Sequence, residues 1–316
     1  MKNLSFVLLA AGMAACGGGS ATTSTIPAQP IAGQSEGAAR DTRLVDVSDH
    51  AEERLIYVSD HANNLIDVFG RGKLRTITSG VSKPVGLFVD ALHNLWVANP
   101  GANDVLVFRR GSKTPSETLE DSNQPNDVAV CHDGTAFVAD SLNLGGVAVY
   151  PPGHTAPTRR LEAQRSGQGG IEFYVACDNA GNVFATGMIG ASPFAATVGW
   201  RHARESGYYL LKPAASSEGG IKATADRRLL IPMNTGPSQG AIVEFTEGGK
   251  PTGRAIRTGS DLWGDIALNG NQSDIYGVVT AKDVVAVRKF PGGGFVREFT
   301  SGNLAQPEGI AVDPGD

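Results

Sequence analysis

Short apolar runs broken by polar turns dominate residues 54–316, and no stripe of helical period survives there. The clearest stretch alternates two kinds of run. Leu87-Phe-Val-Asp90 is followed by Leu95-Trp-Val-Ala-Asn99 and Val105-Leu-Val-Phe108. The pattern returns as Val128-Ala-Val-Cys131, Ala136-Phe-Val-Ala-Asp140 and Val147-Ala-Val-Tyr150. Asn, Gly and Asp fill the joints, as tight turns with positive φ require. These runs read as β-strands, and the polar residue closing each first strand marks a repeat. Asp90, Cys131, Asp178, Asp226, Asn269 and Asp313 hold that place at intervals of 41 to 48 residues. A period in the forties with this strand pattern predicts four-stranded propeller blades.

The ends of the chain complete one another. Pro307-Glu-Gly-Ile-Ala-Val-Asp313 is a first strand whose continuation is missing, and Ile56-Tyr-Val-Ser-Asp60 with Leu65-Ile-Asp-Val-Phe69 supplies it. A repeat split in this way lets the C-terminal strand latch the N-terminal blade and leaves no open sheet edge. The expectation is an all-β fold, a six-bladed β-propeller over residues 54–316 whose ring closes between the termini.

Residues 1–53 differ in character. Lys2, an apolar run from Leu4 to Ala15 and the closing Met13-Ala-Ala-Cys16 read as a targeting segment over residues 1–16. It resembles a bacterial lipoprotein signal, with Met13 departing from the usual Leu, and that resemblance implies lipidation of Cys16. An ordinary secretory signal is the alternative. Gly17 after the cysteine, where Asp would imply inner-membrane retention, favours the outer membrane. Residues 17–53 are rich in Ser, Thr, Ala, Gly and Pro and predict a flexible tether. The expected location is therefore the bacterial cell envelope, with the membrane reached through the lipid anchor. A formal net charge of −5 with no basic stripe argues against a nucleic-acid partner.

The phrases Pro84-Val-Gly-Leu-Phe-Val-Asp90, Leu95-Trp-Val-Ala-Asn99 and Val105-Leu-Val-Phe108 resemble NHL-type propeller repeats. They are also similar to the senescence-marker/gluconolactonase-like propellers. The likeness is strongest in 54–150 and 262–316 and weak between 179 and 261. It implies a six-bladed ring and says little about activity, because one scaffold hosts binders, lactonases and lyases.

First strands line a propeller's channel, so the residues near their starts are the candidates for chemistry. Counting back from the strand-closing positions selects Gly86, Asp127, Tyr174, Lys222, Asp265 and Gly309, with Asn126 and Glu308 one place earlier. Asp127 and Asp265 fall three blades apart and so oppose one another. The ligand-binding mouth is expected to comprise Asn126, Asp127, Tyr174, Lys222, Asp265 and Glu308. Gluconolactonase-like propellers hold a divalent metal in this mouth. That resemblance implies calcium or a similar cation on Asn126, Asp265 and Glu308, with Asp127 as a catalytic base. The plain alternative is a set of polar residues facing a water-filled channel, with no cofactor. The six histidines show no zinc-ligand spacing, and no nucleophile elbow or phosphate loop is present.

Three further features bear on packing. Cys131 and Cys177 end first strands of adjacent blades, one register step apart. A bridge between blades is conceivable, but that step turns the two side chains to opposite faces of their strands, and buried free thiols are expected. Met188–Trp200 reads as two strands with a Ser-Pro turn, or as a partner-binding loop. Trp96 and Trp263 read as inter-blade packing from strand positions. The function expected from all this is binding or scaffolding of an envelope protein or a small ligand. The alternative is a metal-dependent lactonase-type hydrolase, and a lyase acting at the same mouth is a further rival.

Overall fold

The structure is a computed structural model that describes residues 54–315, except 142–145, 163–169, 190–194, 212–218 and 237–238. The targeting segment, Cys16 and the tether lie outside the described residues. So do the Ser-Pro turn residues between Val183–Ile189 and Ala195–Trp200, which pair as antiparallel strands of one blade.

Six four-stranded antiparallel sheets make up the described residues. Blade I joins Pro307–Val312 to Ile56–Asp60, Leu65–Phe69 and Lys73–Ile77, so the C-terminal strand is its innermost. Blade II runs from Leu87–Val89 outward to Glu117–Glu120, and blade III from Pro125–Val130 to Arg159–Leu161. Blade IV begins with Gly170–Cys177 and blade V with the short Lys222–Ala223. Blade VI begins with Ile266–Leu268 and ends with Phe295–Phe299. The ring closes as its split repeat predicts, with Ile56 opposite Val312 and Tyr57 opposite Ala311.

Burial explains why period-two alternation is faint in the best strands. Second strands are covered on both faces by neighbouring blades, so Ile56–Asp60 and Ala136–Asp140 are buried at every position. Outer strands meet solvent, and Pro251–Gly259 buries only Ile256 and Thr258. The core is a set of seams between blades: one joins Val128, Val138 and Tyr150 of blade III to Val105 and Leu119 of blade II. Trp96 packs on that seam and donates its indole N–H to Asp90 Oδ2 at 2.9 Å. Trp263 is buried on the seam of blades V and VI, but it precedes its blade's first strand instead of lying within one.

The polar residue that closes each first strand has a local cause. Asp90 Oδ1 accepts the N–H groups of Leu92 and Asn94, and Asp178 Oδ1 accepts those of Ala180 and Asn182. Asn269 Oδ1 does the same for Ser273 and Asp274. Each side chain thus satisfies backbone donors that the hairpin leaves unpaired.

Two expectations are corrected. The strand-closing position of blade V is Thr224, whose N–H donates to Arg228 O and whose Oγ1 accepts from Arg228 N; Asp226 lies inside the turn. Cys131 and Cys177 form a disulfide, with Cα atoms 5.5 Å apart. The one-residue offset that argued for free thiols is what the bridge needs. One face of a blade packs on the opposite face of its neighbour, so side chains that meet across the seam must point to opposite faces of equivalent strands.

Candidate functional site

With blade V re-registered, the six first strands present Gly86, Asp127, Tyr174, Gly220, Asp265 and Gly309 at one level of the channel. Lys222 moves two residues along, to the level of Phe88 and of the alanines Ala129, Ala176, Ala267 and Ala311. The sequence carried this signal: Gly220-Ile-Lys-Ala-Thr224 matches Gly86-Leu-Phe-Val-Asp90 and Gly309-Ile-Ala-Val-Asp313 at the glycine and the apolar positions.

The glycines at this level are forced by close approach. A Cβ on Gly86 would overlap the Asp127 carboxylate, and one on Gly220 would overlap that of Asp265. Gly86 N–H donates to Asn126 O, and Gly220 N–H donates to Gly264 O, both at 2.9 Å. Each aspartate then reaches the following blade. Asp127 Oδ2 accepts from Val175 N at 3.0 Å, and Asp265 Oδ2 accepts from Ile310 N at 3.1 Å. Both aspartates are fully buried. An inner strand's channel edge has no neighbouring strand, so its N–H groups need such partners. The two carboxylates supply them on opposite sides of the ring.

The two halves differ in how the buried charge is met. Asp265 Oδ1 accepts from Ile266 N at 2.8 Å and lies 3.4 Å from Lys222 Nζ. Asp127 Oδ1 makes no hydrogen bond among the described residues. Burial pushes the Asp127 carboxyl up to about 7 and the nearby Asp265 adds to this, while Lys222 and the backbone donors oppose it. Asp265 is also raised by burial, against the pull of Lys222. Burial alone would lower the Lys222 ammonium, but Asp265 and Asp127 more than offset that and keep it charged. Tyr174 is raised well beyond the ordinary phenol range by burial and then by the fields of Asp265, Glu308 and Asp127, so its hydroxyl stays protonated.

The remaining expected mouth residues stand one step outward. Asn126 Nδ2 donates to Phe173 O at 3.1 Å, and Glu308 Oε1 accepts from Gln306 Nε2 at 3.1 Å. Glu308 is half-buried and its carboxyl is raised by burial. The structure thus brings Asp127, Tyr174, Lys222 and Asp265 into one electrostatic cluster, with Asn126 and Glu308 at its rim. The trio Asn126, Asp265 and Glu308 does not fit a divalent cation in this arrangement. Both Asp265 oxygens hold backbone donors, and the adjacent positive charge is Lys222. Among the described residues no three His, Cys, Asp or Glu side chains are grouped as metal ligands.

Below this level lies a cavity of about 220 Å3, toward the closing ends of the first strands. Phe88 and Lys222, three blades apart, face it from opposite sides.

No protein-family model and no curated protein matches the chain. Solved structures do. A chain in a crystal structure of a nidogen/laminin complex aligns over 82% of this chain and 98% of its own, with a TM-score of 0.65 and 14% identity. Hydrazine synthase of Kuenenia stuttgartiensis aligns over 82% and 86% with a TM-score of 0.58 and 14% identity. A functionally unknown protein from Desulfotomaculum acetoxidans aligns over 83% and 99% with a TM-score of 0.58 and 15% identity. The chain is a six-bladed β-propeller. At these identities the likeness carries the fold and nothing finer.

Proposed function

We propose that this propeller is a binding module of the bacterial cell envelope. It is tethered to the membrane through a lipid on Cys16, and it engages an envelope protein or small ligand at the mouth formed by Asn126, Tyr174 and Glu308. The NHL-like repeat phrases support placing it among propellers of that kind. One observation carries the preference for binding over catalysis. The carboxylates best placed for chemistry, Asp127 and Asp265, are committed to the backbone N–H groups of Val175 and Ile310 and hold the ring together. What faces outward is a polar rim on a rigid ring, which suits recognition. A chain of this fold occurs in a nidogen/laminin complex, a precedent for such a propeller within a protein–protein assembly.

A photo-crosslinker at Gln306, on the rim, tests the reading in cells, with Arg254 on an outer strand as control. A discrete adduct from Gln306, absent from Arg254 and lost in Glu308→Lys, supports it. No adduct, or equal adducts from both positions, overturns it. The hydrolase alternative has its own readout: a rise in Tm with calcium, magnesium, manganese or zinc that chelator reverses would establish a metal requirement.

A further inference from the structure

Each blade runs antiparallel from its first strand outward, so its turns fall at two ends of the ring. First-to-second and third-to-outer turns lie at the closing end of the first strands. Second-to-third turns and the links between blades lie at the mouth. In blades I and II the two ends carry opposite charge. The closing end holds Arg54, two residues before the strand Ile56–Asp60, and Arg71 in one third-to-outer turn. Arg109, Arg110 and Lys113 occupy the other such turn, and Arg71, Arg109 and Lys113 are exposed. The mouth end of the same blades holds Asp104, Glu120 and Asp121, with Lys83 as an exposed cation.

Contacts gather the cations of the closing end into one patch. Arg75 of blade I's outer strand donates from Nη1 to Gly111 O, which sets the Arg109–Lys113 turn against blade I. Asp313 N–H donates to Leu55 O at 2.8 Å and its carboxylate takes Arg110, so Arg54 stands beside the same turn. The acids here are occupied. Asp67 takes Lys73 Nζ at 2.8 Å, Asp313 takes His93 and Arg110, and Asp90 caps its own hairpin. Glu117, which starts blade II's outer strand, is exposed and faces three exposed cations with a single charge.

Apolar side chains flank the patch. Leu92, in the first-to-second turn of blade II, is 79% exposed. Phe295, which opens blade VI's outer strand, is 63% exposed. Both belong to the closing end, and blade VI meets blade I through the Phe299 and Phe69 rings, 5.0 Å apart. Apolar tips around a cationic field suit an anionic bilayer, where lipid phosphates meet the charge and the interface takes the tips. The chain favours that occupant over other polyanions. Only residues 17–53 separate Cys16 from Arg54, so the covalent link to a lipid on Cys16 enters the ring at this face.

We propose that the closing face of blades VI, I and II docks on the surface of an anionic phospholipid bilayer. Arg71, Arg109 and Lys113 meet the lipid phosphates, and Leu92 and Phe295 enter the interface. The mouth then points away from the membrane, free for its partner. The choice of a bilayer rests on the anchor reading of Cys16.

Flotation of the full chain carrying Cys16→Ser, which removes the anchor, tests the face by itself. The vesicles are phosphatidylcholine alone or phosphatidylcholine mixed with phosphatidylglycerol. Phosphatidylglycerol should raise binding by about tenfold or more. Salt at about 1 M, where the Debye length falls to about 3 Å, should reverse that gain. Arg71→Glu, Arg109→Glu and Lys113→Glu together should erase it. Lys83→Glu, Arg257→Glu and Lys282→Glu, at the mouth end, change the net charge equally and should leave it intact. Leu92→Ser with Phe295→Ser should weaken binding severalfold. Equal binding to both vesicles, a gain that survives the patch reversal, or one lost equally in the mouth set overturns the proposal. So does a discrete protein adduct in cells from a photo-crosslinker at Leu92, which would make this face a protein interface. Should the triple patch variant not fold, the lipid and salt dependence and the Leu92/Phe295 pair decide the matter. The anchor is read separately, from the mass of the mature chain, and the mouth from the Gln306 crosslink, so each can fail without the others.

Discussion

His93 Nδ1 lies 2.7 Å from Asp313 Oδ1, across 220 positions of sequence. The same fully buried carboxylate takes Arg110 Nε at 3.0 Å. Both partners belong to blade II, so the residue that closes the C-terminal strand locks blade I to its neighbour as well as completing it. The latch therefore has two parts: the strand ladder from Pro307 to Val312, and this buried anchor at its end.

Asp313→Ala should lower Tm by several degrees, because it removes a buried carboxylate from His93 and Arg110, whose side chains are themselves only about a quarter exposed. Deleting Pro307–Asp316 should do more. It bares the inner edge of Ile56–Asp60, and loss of a single cooperative transition or aggregation is the expected result. Calorimetry of the three proteins checks this, and a truncated chain that melts like the parent would refute the closure.

The Cys131–Cys177 bridge ties blades III and IV over a separation of 46 residues. Chain-entropy arithmetic for a loop of that length gives roughly 4 kcal/mol, within the usual range of about 0–5. Cys131→Ser should therefore melt several degrees lower than the parent under oxidising conditions. Under reducing conditions the two should nearly coincide. A thiol count on the unfolded, unreduced protein gives an independent reading of the bridge.

The pH dependence follows from Asp127. Its folded carboxyl is raised to about 7 from 3.8, so the folded state binds the extra proton between those values. This contribution is full below about pH 4 and is lost as pH rises to about 7. Asp140, raised to about 8 by burial and by Asp121, extends the decline in the same direction. Asp127→Asn retains an oxygen for Val175 N–H and removes the charge. It should raise Tm at pH 8 and give little gain at pH 4. A gain of equal size at both values would show that Asp127 is not the group that titrates.

Gly86→Ala tests the crowding of the inner ring. The new Cβ meets the carboxylate and main chain of Asp127, neither of which is free to move, since Asp127 also holds Val175. The expected cost is about 2 kcal/mol or more in chemical denaturation. Gly72, with nothing within 4 Å of an added Cβ, is the control and should tolerate alanine.

How much of this was legible in the chain can be judged from particular residues. Leu87-Phe-Val-Asp90 and its relatives declared strands, period and ring closure, because the apolar runs recur at a near-fixed interval and those closed by Asp90, Asp178, Thr224 and Asn269 end at a side chain that caps its own hairpin. That information is local and repeats, so a single sequence displays it. The weak repeat was blade V, where Thr224 performs with a hydroxyl what Asp90 performs with a carboxylate, and choosing Asp226 there misplaced Lys222 by one level.

What only the tertiary structure decided concerns contacts between blades. The offset of Cys131 and Cys177 looks like a mismatch along two equivalent strands and becomes a match once opposite faces of adjacent blades are pressed together. Asp127 and Asp265 look like mouth ligands in the sequence. In the ring one oxygen of each is taken by a main-chain donor of the next inner strand, and Lys222 Nζ lies 3.4 Å from the other oxygen of Asp265. The sequence specifies which side chains each strand carries because strand pattern depends on near neighbours. Partners across the channel depend on a rotation of about sixty degrees per blade in a closed six-fold ring, and that geometry exists only after the ring has closed.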